Sequence, residues 1–157
     1  MNNTKIILTA LLGICFINPT HAQEMSEHKV PQNVVQSFKK RYPNTFVYEW
    51  EWKRKLQVYE AEYMDKGLKK ECYLDNKGNW ILTRWEIETH EVPETIHKSI
   101  AQSAYAHWKL DDASIYSSAK TVKYYELELK EQRKKMYLYY MPDGTLIEKS
   151  TVKKIDD

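Results

Sequence analysis

Apolar residues fall four apart along one stretch of the chain, two apart along the next, and the whole pattern then recurs. Val34, Phe38 and Tyr42 are spaced by four, with Val35 widening the stripe, and Ile96, Ile100 and Ala104 repeat them 62 residues on, with Trp108 extending the run. Such a stripe predicts a helix with one buried face. Val30-Pro31 opens the first stretch and Val92-Pro93 the second. Proline suits a first helical turn, where its missing N–H costs nothing. Pro43 closes the first helix, because the residue before a proline avoids helical geometry.

After each helix the period falls to two. Phe46, Tyr48, Trp50 and Trp52 alternate with Val47, Glu49, Glu51 and Lys53, predicting a strand with its aromatics in the core and its charges in water. Tyr59-Glu60-Ala61-Glu62-Tyr63 and, 66 residues later, Tyr125-Glu126-Leu127-Glu128-Leu129 are the clearest strand pair. Strands are also expected over 69–74 and 135–140, then over 80–87 and 146–152, with turns at Gly78 and at Pro142-Asp143-Gly144 between them. The shift from 62 to 66 needs only a four-residue insertion in the second copy.

The expected architecture is α+β: a tandem duplication of one helix followed by a three- to four-stranded antiparallel meander. One helix and one small sheet bury little alone, so two copies should share a single extended sheet with the helices on one face. The repeats would span 30–91 and 92–157 of one domain, preceded by a linker over 23–29.

Residues 1–22 read as a secretory leader. Lys5 supplies the positive start, Ile6 to Ile17 the apolar run, and Thr20-His21-Ala22 a cleavage site before Gln23. Ile14 is too bulky to precede a lipid-modified Cys15. A periplasmic or secreted protein without a transmembrane segment follows. Removing 22 of 157 residues leaves 135, enough for one core. Cys72 is then the only cysteine, so no intramolecular disulfide can form. The formal charge of +2 becomes +1 without Lys5, which gives no electrostatic bias toward nucleic acid. Lys39-Lys40-Arg41 and Arg133-Lys134-Lys135 read as solvated charges, and a monomer is expected.

Catalytic and metal patterns are absent. His28, His90, His97 and His107 make no close ligand pair, and glycines are too few and scattered for a phosphate loop. Ser99 and Ser103 lack a strained nucleophile turn. Glu71 and Asp75 beside Cys72 should raise its pKa, leaving it a small core residue. No cofactor is expected.

The chain resembles the PepSY-like, beta-lactamase-inhibitor-like family of secreted bacterial proteins. The residues that carry the likeness are Val30-Pro31, Tyr59-Glu60-Ala61-Glu62-Tyr63 and Asp75-Asn76-Lys77-Gly78-Asn79-Trp80, with their second-copy echoes. It covers nearly the whole mature chain, Val30 to Val152, and its motifs are structural. The resemblance implies tandem helix-plus-sheet units and binding of another envelope or secreted protein through the open sheet, without catalysis. No inhibitory contact residue carries over.

Aligning the repeats places Cys72 with Leu138 and Leu74 with Tyr140, facing the helices. Glu71 then aligns with Tyr137 and Tyr73 with Tyr139, facing outward. The expected exposed surface combines Glu60, Glu62, Tyr73, Arg84, Glu126, Glu128, Tyr137 and Tyr139. Tyrosine offers rigid contact area with a polar tip, which binding surfaces favour; the same residues could also simply clothe a solvated sheet face. Charge reversal at Glu126 and Glu128 is expected to leave folding intact. Two other readings make different geometric demands. A small envelope hydrolase would need Glu49, Glu51, Glu60 and Glu62 to converge in a pocket. A carrier of lipid or peptide would need a cavity lined by Trp50, Trp52, Trp80 and Trp108.

Overall fold

The structure, a computed structural model, describes residues 22–119, 123–149 and 153–154. Ten strands among them form one antiparallel sheet. Eight pair in chain order: β1 (Ala22–Met25), β2 (Val47–Lys53), β3 (Val58–Asp65), β4 (Leu68–Asp75), β5 (Trp80–Ile87), β6 (Lys109–Ser118), β7 (Tyr124–Glu131) and β8 (Lys134–Tyr140). β9 (Leu146–Lys149) and β10 (Lys153–Lys154) both pair with β8, at opposite ends of it. The helices are α1 (Gln32–Arg41), between β1 and β2, and α2 (Glu94–Ala101), between β5 and β6.

The expected leader falls almost wholly on residues 1–21, outside the described residues. The expected linker does not appear as one: Ala22–Met25 pairs with Trp50–Lys53, and Glu27–Lys29 makes a single 3-10 turn. A four-residue strand is too short for a period to emerge. No helix of the described residues is long and apolar enough to cross a membrane.

Both helices begin alike. Pro31 and Pro93, with φ of −54° and −55°, stand immediately before them. The Pro31 carbonyl accepts from the amides of Val34 and Val35, and that of Pro93 from Ile96 and His97. α2 stops at Ala101, short of the expected Trp108. The Ser103 hydroxyl donates to the Ile100 carbonyl and accepts from the Tyr105 amide, offering the backbone an alternative to the helix. Ala104 is consequently exposed.

Each helix is clipped by a distant turn. Gly78 and Gly144, with φ of +82° and +87°, donate to the carbonyls of Asp75 and Met141. Asn33 Nδ2 donates to the Asn76 carbonyl at 3.2 Å, and Thr95 Oγ1 to the Pro142 carbonyl at 2.7 Å. A Cβ on either glycine would come within 2.7 Å of the Asn33 carbonyl oxygen or 2.6 Å of that of Thr95. Glycine is required here by close approach as well as by φ.

Three apolar clusters follow from strand alternation. Val34, Val35 and Phe38 of α1 pack with Trp50, Ala61, Tyr63, Cys72 and Leu74. Ile96 and Ile100 of α2 pack with Ala113, Ile115, Tyr125, Leu127, Leu129, Met136, Leu138 and Tyr140. An eight-residue helix is marginal by itself, so this burial is what holds α2 in place. The intervening residues of the strands form the third cluster: Val58, Tyr73, Leu82, Tyr116, Tyr124 and Tyr139.

One expected core assignment fails. A bulge between Val47 and Glu49 shifts the alternation at the start of β2. Val47 packs toward the α1 cluster, while Phe46, expected inside, is 80% exposed and Tyr48 is exposed as well.

Candidate functional site: the carboxylate and tyrosine face

Cross-strand register assembles the expected surface residues into rows. Glu51, Glu60, Tyr73 and Leu82 are successive partners from β2 to β5, and Glu49, Glu62, Glu71, Arg84 and Tyr116 run alongside from β2 to β6. Further along the sheet, Glu86, Ser114, Glu126 and Tyr139 make a third row, and Asp112, Glu128 and Tyr137 a fourth. All eight residues singled out in the sequence therefore lie on these rows. Cys72, Leu74, Leu138 and Tyr140 pack in the helix clusters, as the repeat alignment required.

Their exposure differs from expectation. Glu62, Arg84, Glu128 and Tyr137 are half-buried, but Glu60 (2% exposed), Tyr73 (6%), Glu126 (7%) and Tyr139 (1%) are buried. Tyr73, Tyr116, Tyr124 and Tyr139 pack in one cluster, and the Tyr116 and Tyr124 rings stack with centroids 5.0 Å apart. Alternation assigns a residue to a face, while side-chain length decides how much of that face meets water.

Many of the polar groups on these rows are paired. Arg84 donates to Glu71 at 2.9 Å, to Glu86 at 3.0 Å and to the Ser114 hydroxyl at 2.9 Å. Tyr73 also donates to Glu71, at 2.9 Å, and Tyr116 to Glu126 at 3.4 Å. Lys53 bridges Glu51 and Glu60, Lys69 pairs with Glu62 at 2.6 Å, and Glu128 lies between Lys130 and Lys135. Burial pushes Glu60 up to about 7 against the pull of its bond to Lys53, with Glu71 adding to the rise. Burial also raises Glu49, helped by the charges of Glu62, Glu51 and Glu24. Glu128 is lowered: burial works against it, but bonds from Tyr137 and Lys130 prevail.

The hydrolase and carrier geometries fare differently. Glu49, Glu51, Glu60 and Glu62 do come together, as cross-strand neighbours on a sheet face. A cavity of about 220 Å³ is lined instead by Glu86, Ile87, Glu88, Thr89, Asp111 and Asp112. The four tryptophans do not share one space: Trp50 and Trp80 pack with α1, Trp108 packs with α2, and Trp52 meets Tyr59 at a tilt, with centroids 4.6 Å apart. Arg41 is exposed, as expected, and its guanidinium lies 3.3 Å over the Trp80 ring. His107 is beyond α2 and pairs with Glu131 at 2.8 Å. Cys72 is free, buried and pushed up to about 12; burial is the cause, rather than the acidic neighbours invoked from sequence. Among the described residues no three His, Cys, Asp or Glu side chains are placed to hold a metal ion.

Tyr116 and Ser114 belong to these rows, Lys53 bridges two of their members, and none of the three was singled out in the sequence. The signal was there for β6, where Asp112, Ser114 and Tyr116 alternate with Ala113, Ile115 and Ser117.

Fold and face together define an α+β protein built on one antiparallel sheet with a carboxylate- and tyrosine-rich surface. The chain belongs to the beta-lactamase-inhibitor-like, PepSY-like family, matching it over residues 17–73 and 57–148. Among solved structures it is similar to a BLIP-like protein from Bacteroides fragilis NCTC 9343, at 28% identity and TM-score 0.67, covering 76% of this chain and 84% of that one. It is also similar to DUF2874 family proteins from Bacteroides ovatus ATCC 8483 (23% identity, TM-score 0.69, covering 76% and 86%) and Bacteroides uniformis ATCC 8492 (20%, 0.68, 76% and 88%). No curated protein matches the chain.

Proposed function

We propose that this protein is a non-catalytic, inhibitor-like binding module of the cell envelope that engages another protein through one face of its sheet. In this reading the chain is a tandem duplication, with both helices on one face and the face bearing Glu62, Arg84, Glu128 and Tyr137 open to the partner. Two matches of one family to overlapping parts of the chain, and corresponding helix-to-turn clips at Gly78 and Gly144, support the duplication. The observation that carries the function is the web around Arg84, which fixes Glu71, Glu86 and Ser114 before any partner arrives. Side chains already locked cost little entropy on binding. Likeness to a BLIP-like protein points the same way. The leader read in residues 1–22 supports a mature chain that starts at Gln23 and acts in the periplasm or outside the cell, where a monomer is expected.

Affinity capture from a cell-envelope extract tests this, with Glu62→Lys and Tyr137→Ser variants as controls. A protein enriched by the native form and lost with both variants is the expected result. Capture indifferent to both would move binding off this face. An empty capture with well-folded bait would remove the module reading and return attention to hydrolysis by the gathered carboxylates.

A further inference from the structure

The charges on the binding face are unevenly distributed, and that distribution specifies a partner. Register brings Glu24, Glu51 and Glu60 into one line and Glu49, Glu62 and Glu71 into the next, across four adjacent strands. Lys53, Lys69 and Arg84 answer four of these six. Glu24 and Glu49 meet no cation among the described residues, and Glu24, Glu51 and Glu62 all push the Glu49 carboxyl upward. Like charges placed directly across strands are destabilising. A chain with nearly balanced overall charge thus carries, toward one edge of its sheet, an acidic strip in which Glu24 and Glu49 stay uncompensated.

A second feature adjoins the strip. Phe46, Tyr48 and Met64 are three of the five large apolar side chains exposed among the described residues. Val47 pairs with Tyr63, so the next residues outward along the two strands are Phe46 and Met64. Tyr48 lies 5.9 Å from Lys69 Nζ, and Lys69 pairs across the strands with Met64. An apolar patch beside acidic residues is not what a solvated sheet edge needs.

Both features are relieved by the same occupant. We propose that the sheet face over β1–β3 receives a cationic protein surface, its Lys or Arg side chains meeting Glu24 and Glu49 and an apolar residue seated among Phe46, Tyr48 and Met64. This rests on the reading of the sheet as a binding face and assigns the partner's chemistry. A polyanion or an acidic membrane surface would be repelled by the same strip.

The probe is a pair of short extended peptides with the same apolar residues, one carrying lysines and the other glutamates between them. They are titrated into ¹⁵N-labelled protein expressed from the full chain and purified from the periplasm. The lysine peptide should shift the amides of Glu24, Phe46, Tyr48, Glu49 and Met64, while the glutamate peptide leaves them still. Raising salt to about 0.5 M should weaken the binding about tenfold or more. Glu49→Lys and Met64→Ser should each weaken it as well. Glu24→Lys provides a second charge variant at an exposed position, should the first fail to fold. Unmoved amides with the lysine peptide, or equal binding by the charge variants, overturn the cationic partner. If an envelope protein is still captured by Glu49→Lys but lost with Glu62→Lys and Tyr137→Ser, the binding face stands and only its proposed chemistry falls.

Discussion

Lys53 Nζ lies 2.9 Å from a carboxylate oxygen of Glu60, a side chain almost wholly withdrawn from water. One cation does not offset that burial, and Glu60 rises from 4.5 to about 7. Between those values the folded chain holds a proton that the unfolded chain has released. The stability this proton confers is complete below about pH 4 and is lost as pH climbs through about 7. The loss is roughly 3 kcal/mol at one pKa unit per 1.4 kcal/mol. Glu60→Gln should therefore gain on the native protein between pH 5 and pH 8 in urea denaturation. A constant difference between the two proteins across that range would mean that Glu60 is ionised throughout.

Gly78→Ala and Gly144→Ala should each destabilise by about 2 kcal/mol or more, since strained positive φ and a backbone clash act together. The two losses should be similar, because the new methyl meets a helix carbonyl in both cases. Gly67→Ala makes the control: it shares the positive φ, but a methyl there would project into open space, with nothing within 4 Å. Urea midpoints for the three variants check this, and equal losses at all three would leave φ alone as the cause.

The recurring sequence pattern made much of this legible. Strand 80–87 and the turns at Gly78 and Gly144 stand where the period change and the glycines put them, because alternation and turn chemistry are local. Phe46 and Tyr48 depart from the expected alternation because a bulge inserts one residue into it without a local signature. The burial of Glu60 and Tyr139 was invisible for another reason. It depends on the packing of neighbouring strands, where Tyr73 pairs with Glu60 and shares a cluster with Tyr139, which is a property of the assembled face.

Cys72 should not react with iodoacetamide in the native protein. Its thiol is fully buried and pushed up to about 12, so thiolate at neutral pH is scarce. Mass spectrometry should show alkylation only under denaturing conditions, at a rate that follows global unfolding. Rapid native labelling would reveal local opening between β4 and α1.

Glu126 and Glu86 occupy one cross-strand row, on either side of Ser114, yet reversing their charges should have very unequal consequences for folding. Glu126 is buried and accepts a bond from Tyr116, so Glu126→Lys places a cation where the structure has room only for a matched acceptor. A loss of about 3 kcal/mol or more is expected, in contrast with the neutral effect anticipated from sequence. Glu86 is exposed, and its pair with Arg84 is a surface contact; Glu86→Lys should cost about 1 kcal/mol or less. Urea denaturation distinguishes the two. Lost partner capture by Glu126→Lys would report unfolding, whereas the same loss by folded Glu86→Lys would report the binding face itself.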